Sequence, residues 1–269
     1  LDLLVLDEAS MLDLALATRL LEAVPPTARI VLLGDKDQLA AVEAGAVFAE
    51  LSADPSLGAP TLDRLARLCG LPAGRIQPPL PARPGALHDS VVWFRRNYRF
   101  AADSGIGRLA ADALAGDAAA VPATLQGPGD GALAWLADAG ERPAEATLAA
   151  ATDGYAAYAD ACRAALAAGP AGADPDAATV AALHAAFGRF RVLCALRTGP
   201  RGVLAINAAL SQRLRAAITG GVAGGASDRQ PWFPGRPVMV LRNDPVLRLF
   251  NGDIGLAWPG AGGALQVWF

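Results

Sequence analysis

The sequence predicts an α/β protein with parallel strands and flanking helices, and three observations carry that reading. Leu3 to Leu6 and Ile30 to Leu33 are short, unbroken apolar runs, the pattern of parallel strands covered on both faces. Between them Met11, Leu12, Leu16, Leu20, Leu21 and Val24 recur at helical spacing. Towards the C-terminus, Pro237 to Leu241, Ile254 to Trp258 and Leu265 to Phe269 read as a small β meander with a turn at Asn251-Gly252.

The first run ends at Asp7-Glu8. The helix over 11–24 stops at Pro25-Pro26, since proline cannot continue it. The second run closes at Gly34-Asp35, which completes a βαβ unit with a right-handed crossover. A Pro/Gly-rich connector spans about 70–86. Val91 to Phe94 is a third strand candidate and leads into Arg95-Arg96-Asn97-Tyr98-Arg99-Phe100. Asp103 or Ser104 can cap a helix that ends at Gly116. Loops and a short strand are expected over 117–135. Two Ala-rich helices follow, over 143–168 and 174–187, with Gly169-Pro170-Ala171-Gly172 between them. A strand over 191–196, a helix over 203–218 and a Gly-rich stretch precede the meander. No internal repeat is present.

Composition narrows the class. The 269 residues are 53% hydrophobic and 18% charged, which supports a sizeable core and excludes a disordered chain. No uncharged apolar run reaches the roughly 18 residues that a membrane helix needs. The Ala-rich stretch at 147–168 is interrupted by Asp153, Asp160 and Arg163. A net charge of −3 and a pI near 5.4 argue against a uniformly basic nucleic-acid binder but leave room for a local basic groove. Cys69, Cys162 and Cys194 lack pairing spacing, which suggests a reduced, cytosolic compartment. His88 and His184 have no Cys or His at ligand spacing, so no zinc site is expected. The chain starts at Leu1 inside one apolar run and stops at Phe269 inside another, and is expected to be a piece of a longer protein. Lys36 is its one lysine and precedes Asp37, so the phosphate-binding pattern G-x-x-x-x-G-K-[ST] does not occur in these residues.

Three motifs carry chemistry. Leu3-Leu4-Val5-Leu6-Asp7-Glu8-Ala9-Ser10 places two adjacent carboxylates at the carboxyl end of a strand, the end that faces the ligand crevice in open parallel sheets. One acid there can hold Mg²⁺ on a nucleotide, and its neighbour can orient the attacking water. A strand that simply ends in solvent has the same pattern. Gly34-Asp35-Lys36-Asp37-Gln38-Leu39, with Val42 and Gly45 beyond, ends the next strand, and an amide there can sense a γ-phosphate. Alone it would be a plain turn; one βαβ unit after Asp7-Glu8 it is more than that. In Asn97-Tyr98-Arg99-Phe100, the arginine offers a planar fork of donors to phosphate oxygens. Arg95 and Arg96 read as ordinary surface residues.

In this order the motifs resemble superfamily 1 DNA helicases and, within them, the RecD family of bacterial exodeoxyribonuclease V subunits. The residues that carry the resemblance are Val5 to Leu14, Gly34 to Ala40, Val42 to Val47, Tyr98-Arg99-Phe100 and Asp103 to Gly107. Further on they are Leu193 to Arg197, Gly199-Pro200, Gly202-Val203, Gly235 to Met239, Arg242-Asn243-Asp244 and Leu249 to Gly255. The likeness covers essentially the whole chain, most weakly over 52–88 and 117–188.

The resemblance implies RecA-like parallel sheets with flanking helices in two partial motor domains, and the start of a small SH3-like β insertion. Residues 1–120 would be the later part of the first motor domain and 121–189 a helical connector. Residues 190–234 would begin the second motor domain, and 235–269 the insertion. It implies ATP and Mg²⁺ as cofactors, with Asp7 as the Mg²⁺ residue and Glu8 activating water. Gln38 would be the coupling residue and Arg99 the γ-phosphate arginine. It also implies 5′→3′ movement on single-stranded DNA, and RecB and RecC as partners in double-strand-break repair, with the nuclease activity belonging to RecB. The C-terminal helicase motifs, like the phosphate loop, are not in these residues, so the piece itself is expected to be inactive and to bind DNA weakly. Asn251 and Asp253 match family positions, and an Asn-Gly turn accounts for them equally well. A stand-alone RecD-like helicase, a conjugative relaxase helicase domain and a non-hydrolysing scaffold are the alternatives. Trp232-Phe233 and Trp268-Phe269 read as core or interface residues before base-stacking ones.

Overall fold

Strand β1 (Leu3–Leu6) runs parallel to β2 (Arg29–Leu32), with Leu3 opposite Arg29 and Leu6 opposite Leu32. The crossover is α1 (Leu14–Ala23). Its start is fixed by Asp13, whose carboxylate accepts from the Leu16 N–H at 2.7 Å. Its end is fixed by Pro25, which drives the preceding Val24 to extended backbone. This is a computed structural model, and it describes residues 1–38, 46–72, 74–79, 87–94, 96–128, 130–169, 173–220 and 231–269. Leu39, Val42 and Gly45 of the second motif, Arg95, the Pro170-Ala171-Gly172 spacer and the Gly-rich stretch at 221–230 lie outside the described residues. Two compact units result, Leu1–Ala134 and Trp135–Phe269.

In the first unit, burial along β1 and β2 differs from the sequence reading. Leu3, Val5 and Val31 are exposed, while Leu4, Leu6, Ile30 and Leu32 are half-buried. Every second side chain of each strand is exposed, so among the described residues one face of this pair is left uncovered. Helices α2 (Val47–Leu51) and α3 (Ala59–Cys69) follow; α3 lies inside the 52–88 stretch where the likeness is weak. It has Pro60 in its first turn and closes on Gly70 at φ +64°. Val91 to Phe94 is not a strand. There the Trp93 indole N–H donates to the Ser52 carbonyl at 2.8 Å, which ties the segment to the end of α2. Helix α4 (Gly105–Ala115) lies where Ser104 and Gly116 predict it. A further helix, α5 (Ala120–Gln126), replaces the loops and short strand expected there; Asp117 accepts from the Ala119 and Ala120 N–H groups at its start.

The second unit has four helices, α6 (Glu145–Asp153), α7 (Ala156–Ala168), α8 (Ala177–Gly188) and α9 (Val203–Thr219), among its described residues. They accompany an antiparallel sheet of β3 (Arg236–Met239), β4 (Ile254–Pro259) and β5 (Leu265–Trp268), in the order β3-β4-β5. The one helix predicted over 143–168 is two. The Phe190 ring lies on Gly154, so that a Cβ there would come within 2.4 Å of it, and Tyr155 meets the same ring edge-on at 5.1 Å. Residues 191–196 are irregular instead of extended; the Arg191 guanidinium folds back onto the Phe187 and Phe190 carbonyls at the end of α8. One core joins Tyr158 and Cys162 of α7, Leu183 and Phe187 of α8, Leu214 and Ile218 of α9, and Leu256 and Trp258 of β4. Residues read as connector, second motor domain and β insertion therefore bury one another. Among the described residues no helix is long and apolar enough to cross a membrane.

Candidate functional site

The site is built at the carboxyl edge of β1 and β2. The Leu33 N–H donates to the Leu6 carbonyl, and the Ala9 N–H to the Leu33 carbonyl, each at 2.8 Å, so the ladder continues past both strand ends. Gly34 then passes directly beneath Ala9 and Ser10. A Cβ at Gly34 would lie 3.1 Å from the Ser10 nitrogen, 3.2 Å from the Ala9 nitrogen and 3.1 Å from the Phe48 ring. This close approach is why the second motif begins with glycine. It joins the segments after the two strands, so Asp7-Glu8 and Gly34-Asp35-Lys36-Asp37-Gln38 emerge from one edge.

Asp7 and Glu8 are both exposed at that edge. Asp7 Oδ1 accepts from the Glu8 N–H at 2.9 Å, which fixes the acid pair locally. Glu8 has φ +54° and ψ +37°, the left-handed conformation that a non-glycine residue adopts at a cost of roughly 1–2 kcal/mol. The turn begins a short 3₁₀ segment, Ala9–Met11, and ends the strand direction at Glu8. Strained backbone of this kind is concentrated at functional sites, and here it falls on one of the two acids of the first motif. Among the described residues, Ser10 Oγ, beside Gly34, is buried without a hydrogen-bond partner.

Gln38 is exposed, and its N–H reaches the Asp35 carbonyl at 3.3 Å. Asp35 also accepts from the Asp37 N–H at 3.0 Å, so the turn is built by the aspartate of the motif. Lys36, the single lysine, pairs with Asp37 at 2.6 Å and lies 4.6 Å from the centre of the Trp93 ring. The 91–94 segment is thereby fastened beside this turn. Arg99 is exposed further along. Asn97 Oδ1 accepts from the Arg99 N–H at 2.8 Å and the Phe100 N–H at 3.3 Å, a local turn that presents the arginine. Among the described residues no hydrogen bond or ion pair joins Arg99 to Asp7, Glu8 or Gln38. The structure gathers three of the four predicted residues at one sheet edge and leaves the fourth on a later segment.

Sequence reasoning did not find the left-handed Glu8, the Trp93 anchor or the turn-forming role of Asn97. It also did not find Asp130, whose carboxylate accepts from the Gly105 N–H at 2.8 Å at the start of α4. The Gly34 packing had a signal in the Gly-Asp of the motif; the others depend on backbone angles or on side-chain contacts that no short motif records. In the second unit, a cavity of 370 Å³ is lined by Tyr155, Phe187, Arg191, Asn207 and Arg236. None of the four predicted site residues lines it.

Two exposed carboxylates at a parallel-sheet edge form a hard oxygen donor set that suits Mg²⁺ carried by nucleotide phosphates. The arrangement can therefore hold a metal-bound nucleotide from its acidic side. The family model described as "AAA domain" matches residues 1–73, which include β1, α1, β2 and both acid-edge motifs. The RecBCD enzyme subunit RecD of Mycobacterium tuberculosis is 35% identical over 266 residues, 99% of this chain and 37% of that protein. The RecBCD enzyme subunit RecD of Haemophilus influenzae is 31% identical over 279 residues, all of this chain and 41% of that protein. The ATP-dependent RecD2 DNA helicase of Deinococcus radiodurans is 59% identical over a shorter stretch of 44 residues, 16% of this chain and 6% of that protein. The chain spans about two fifths of the length of the RecD subunits that it matches.

Proposed function

From a chain that is RecD-like over essentially its whole length, we infer part of an ATP-driven DNA helicase subunit that acts in recombinational double-strand-break repair. The observation that carries this reading is the shared carboxyl edge of β1 and β2, where Asp7, Glu8 and Gln38 emerge together. Asp7 holds Mg²⁺ on the nucleotide. Glu8 accepts the proton of the attacking water and orients it. Gln38, on the turn fixed by Asp35, reads the γ-phosphate and passes its presence to the rest of the motor. Arg99 reaches the same phosphate with a planar fork of donors. When bound there, Mg²⁺ held by Asp7 would supply charge neutralisation for phosphoryl transfer.

The remaining assignments follow from the same likeness. The track is single-stranded DNA, with movement 5′→3′. The partners are RecB-like and RecC-like subunits, and the compartment is the cytoplasm. These 269 residues contain no lysine of the Walker type, so they turn over no ATP by themselves at a useful rate. Glu8-dependent turnover by this stretch alone would contradict that statement. The parent protein should unwind a duplex with a 5′ single-stranded tail, and Arg99→Ala should abolish it; unwinding from a 3′ tail alone would overturn the assignment. A stand-alone RecD-like helicase is the second reading.

A further inference from the structure

The turn that carries Gln38 reaches the segment that leads to Arg99 through Lys36. Lys36 Nζ lies 4.6 Å from the centre of the Trp93 ring, within the roughly 6 Å over which an aromatic face attracts a cation. Asp37 Oδ1, 2.6 Å from the same nitrogen, holds the ammonium in place. Among the described residues no hydrogen bond or ion pair joins 34–38 to 91–99, so the ammonium over the indole is the polar link between them.

Trp93 is tied from its other side as well. Its indole N–H donates to the Ser52 carbonyl at 2.8 Å, just past the end of α2. Near its start α2 carries Phe48, whose ring meets Gly34: a Cβ on that glycine would lie 3.1 Å from it. Gly34, α2, Trp93 and Lys36 therefore close a ring of contacts, with Trp93 half-buried. Trp93 stands six residues before Arg99. Six extended residues span at most about 22 Å, so whatever fixes Trp93 limits where Arg99 can go. The far end of that tether is stiffened locally. Asn97 accepts from the Arg99 and Phe100 N–H groups, and the Arg96 guanidinium lies 4.7 Å from the Tyr98 ring centre.

We propose that Lys36 and Trp93 are positioning residues that latch the Gln38 turn to the Arg99 segment, so that amide and guanidinium meet the γ-phosphate together. The proposal rests on the nucleotide-site reading of Gln38 and Arg99. Donors on two separate segments stabilise a transition state only when both are placed before the reaction, and a misplacement of about 1 Å is costly. The latch supplies that placement. When the turn shifts as its amide engages phosphate, the ammonium moves with it and the indole carries the shift to the arginine's segment. Lys36 and Trp93 act through Gln38 and Arg99 and take no part in the chemistry themselves.

The test uses the full-length parent protein and two probes, ADP alone and ADP with aluminium fluoride, which mimics the phosphoryl group in transfer. Arg99→Ala should weaken binding of the aluminium fluoride complex and leave ADP affinity unchanged. Lys36→Met and Trp93→Leu should each weaken that complex by roughly threefold or more, again with ADP affinity unchanged. Lys36→Arg keeps a cation over the ring and should restore the parent affinity. In an Arg99→Ala background Lys36→Met should add little, because its effect runs through that arginine. Parent-like affinity in both Lys36→Met and Trp93→Leu overturns the proposal. So does an equal loss of ADP affinity, or a lowered thermal midpoint, in Lys36→Met, since the contact would then serve the fold alone. A full further loss in the Arg99→Ala background overturns it too. If Arg99→Ala itself binds the complex normally, the nucleotide reading of that arginine fails and the latch with it; failure of the latch alone leaves the Arg99→Ala effect in place.

Discussion

At the scale of single residues, Glu8 combines the carboxylate proposed to activate water with a left-handed backbone that L-residues disfavour. Glu8→Gln keeps the shape and removes the charge, so the parent protein should keep its fold and lose its turnover. Gly34 has no such choice. Gly34→Ala brings a methyl group to 3.1–3.2 Å from the Ser10 and Ala9 backbone nitrogens, tighter than ordinary packing, and a lowered urea midpoint of the first unit is expected. Asp138, in the second unit, carries a pH prediction. The Thr147 hydroxyl, the Ala144 N–H and Arg201 hold its carboxyl well below the ordinary value of 3.8. Its contribution to stability is therefore complete above about pH 4 and disappears as pH falls through the lowered value. Asp138→Asn should flatten the acid limb of a midpoint-against-pH curve; an unchanged limb would show that the network contributes nothing. The common edge of Asp7, Glu8 and Gln38 was legible because a strand–helix–strand unit of this spacing puts both strand ends on one side. Asn97 and Trp93 were not, since their role is to hold a neighbouring segment in place.

At the scale of elements, the sequence spoke clearly wherever capping residues bound a helix. Ser104 and Gly116 delimit α4, and Asp13 with Pro25 delimits α1. The start of α4 is tighter than a cap requires: a Cβ on Gly107 would lie 2.3 Å from the Ala101 carbonyl oxygen. Gly107→Ala should cost the first unit roughly 1–3 kcal/mol and shift the preceding segment that carries Arg99. Short apolar runs were read less well. Val91 to Phe94 and Arg191 to Leu196 have the composition of strands, but indole and guanidinium bonds to nearby carbonyls hold them in other paths. In the second unit, Gly235 at φ +82° packs its Cα against Ile218 and Cys162, and its carbonyl accepts from the Tyr158 hydroxyl at 2.7 Å. Tyr158→Phe leaves that carbonyl buried without its donor, and a loss of about 1–3 kcal/mol is expected from denaturant titration. Cys162 shares this core, where burial pushes its thiol up to about 11. A thiol reagent should therefore modify exposed Cys69 in the native protein and leave Cys162 untouched.

At the scale of the whole molecule, two features stand out. The second unit closes one core from segments that the family likeness divides among a connector, a second motor domain and a β insertion. The first unit presents a parallel pair with Leu3, Val5 and Val31 in solvent, although such runs are ordinarily covered on both faces. The 35% identity to RecD spans 99% of the chain and 37% of that protein. The most direct test of a catalytic edge at Asp7-Glu8 is ATP turnover by the full-length parent protein, with and without single-stranded DNA, beside Glu8→Gln. Turnover should be stimulated by DNA and abolished by the substitution. Turnover that ignores DNA, or survives Glu8→Gln, would contradict a DNA motor built on that edge.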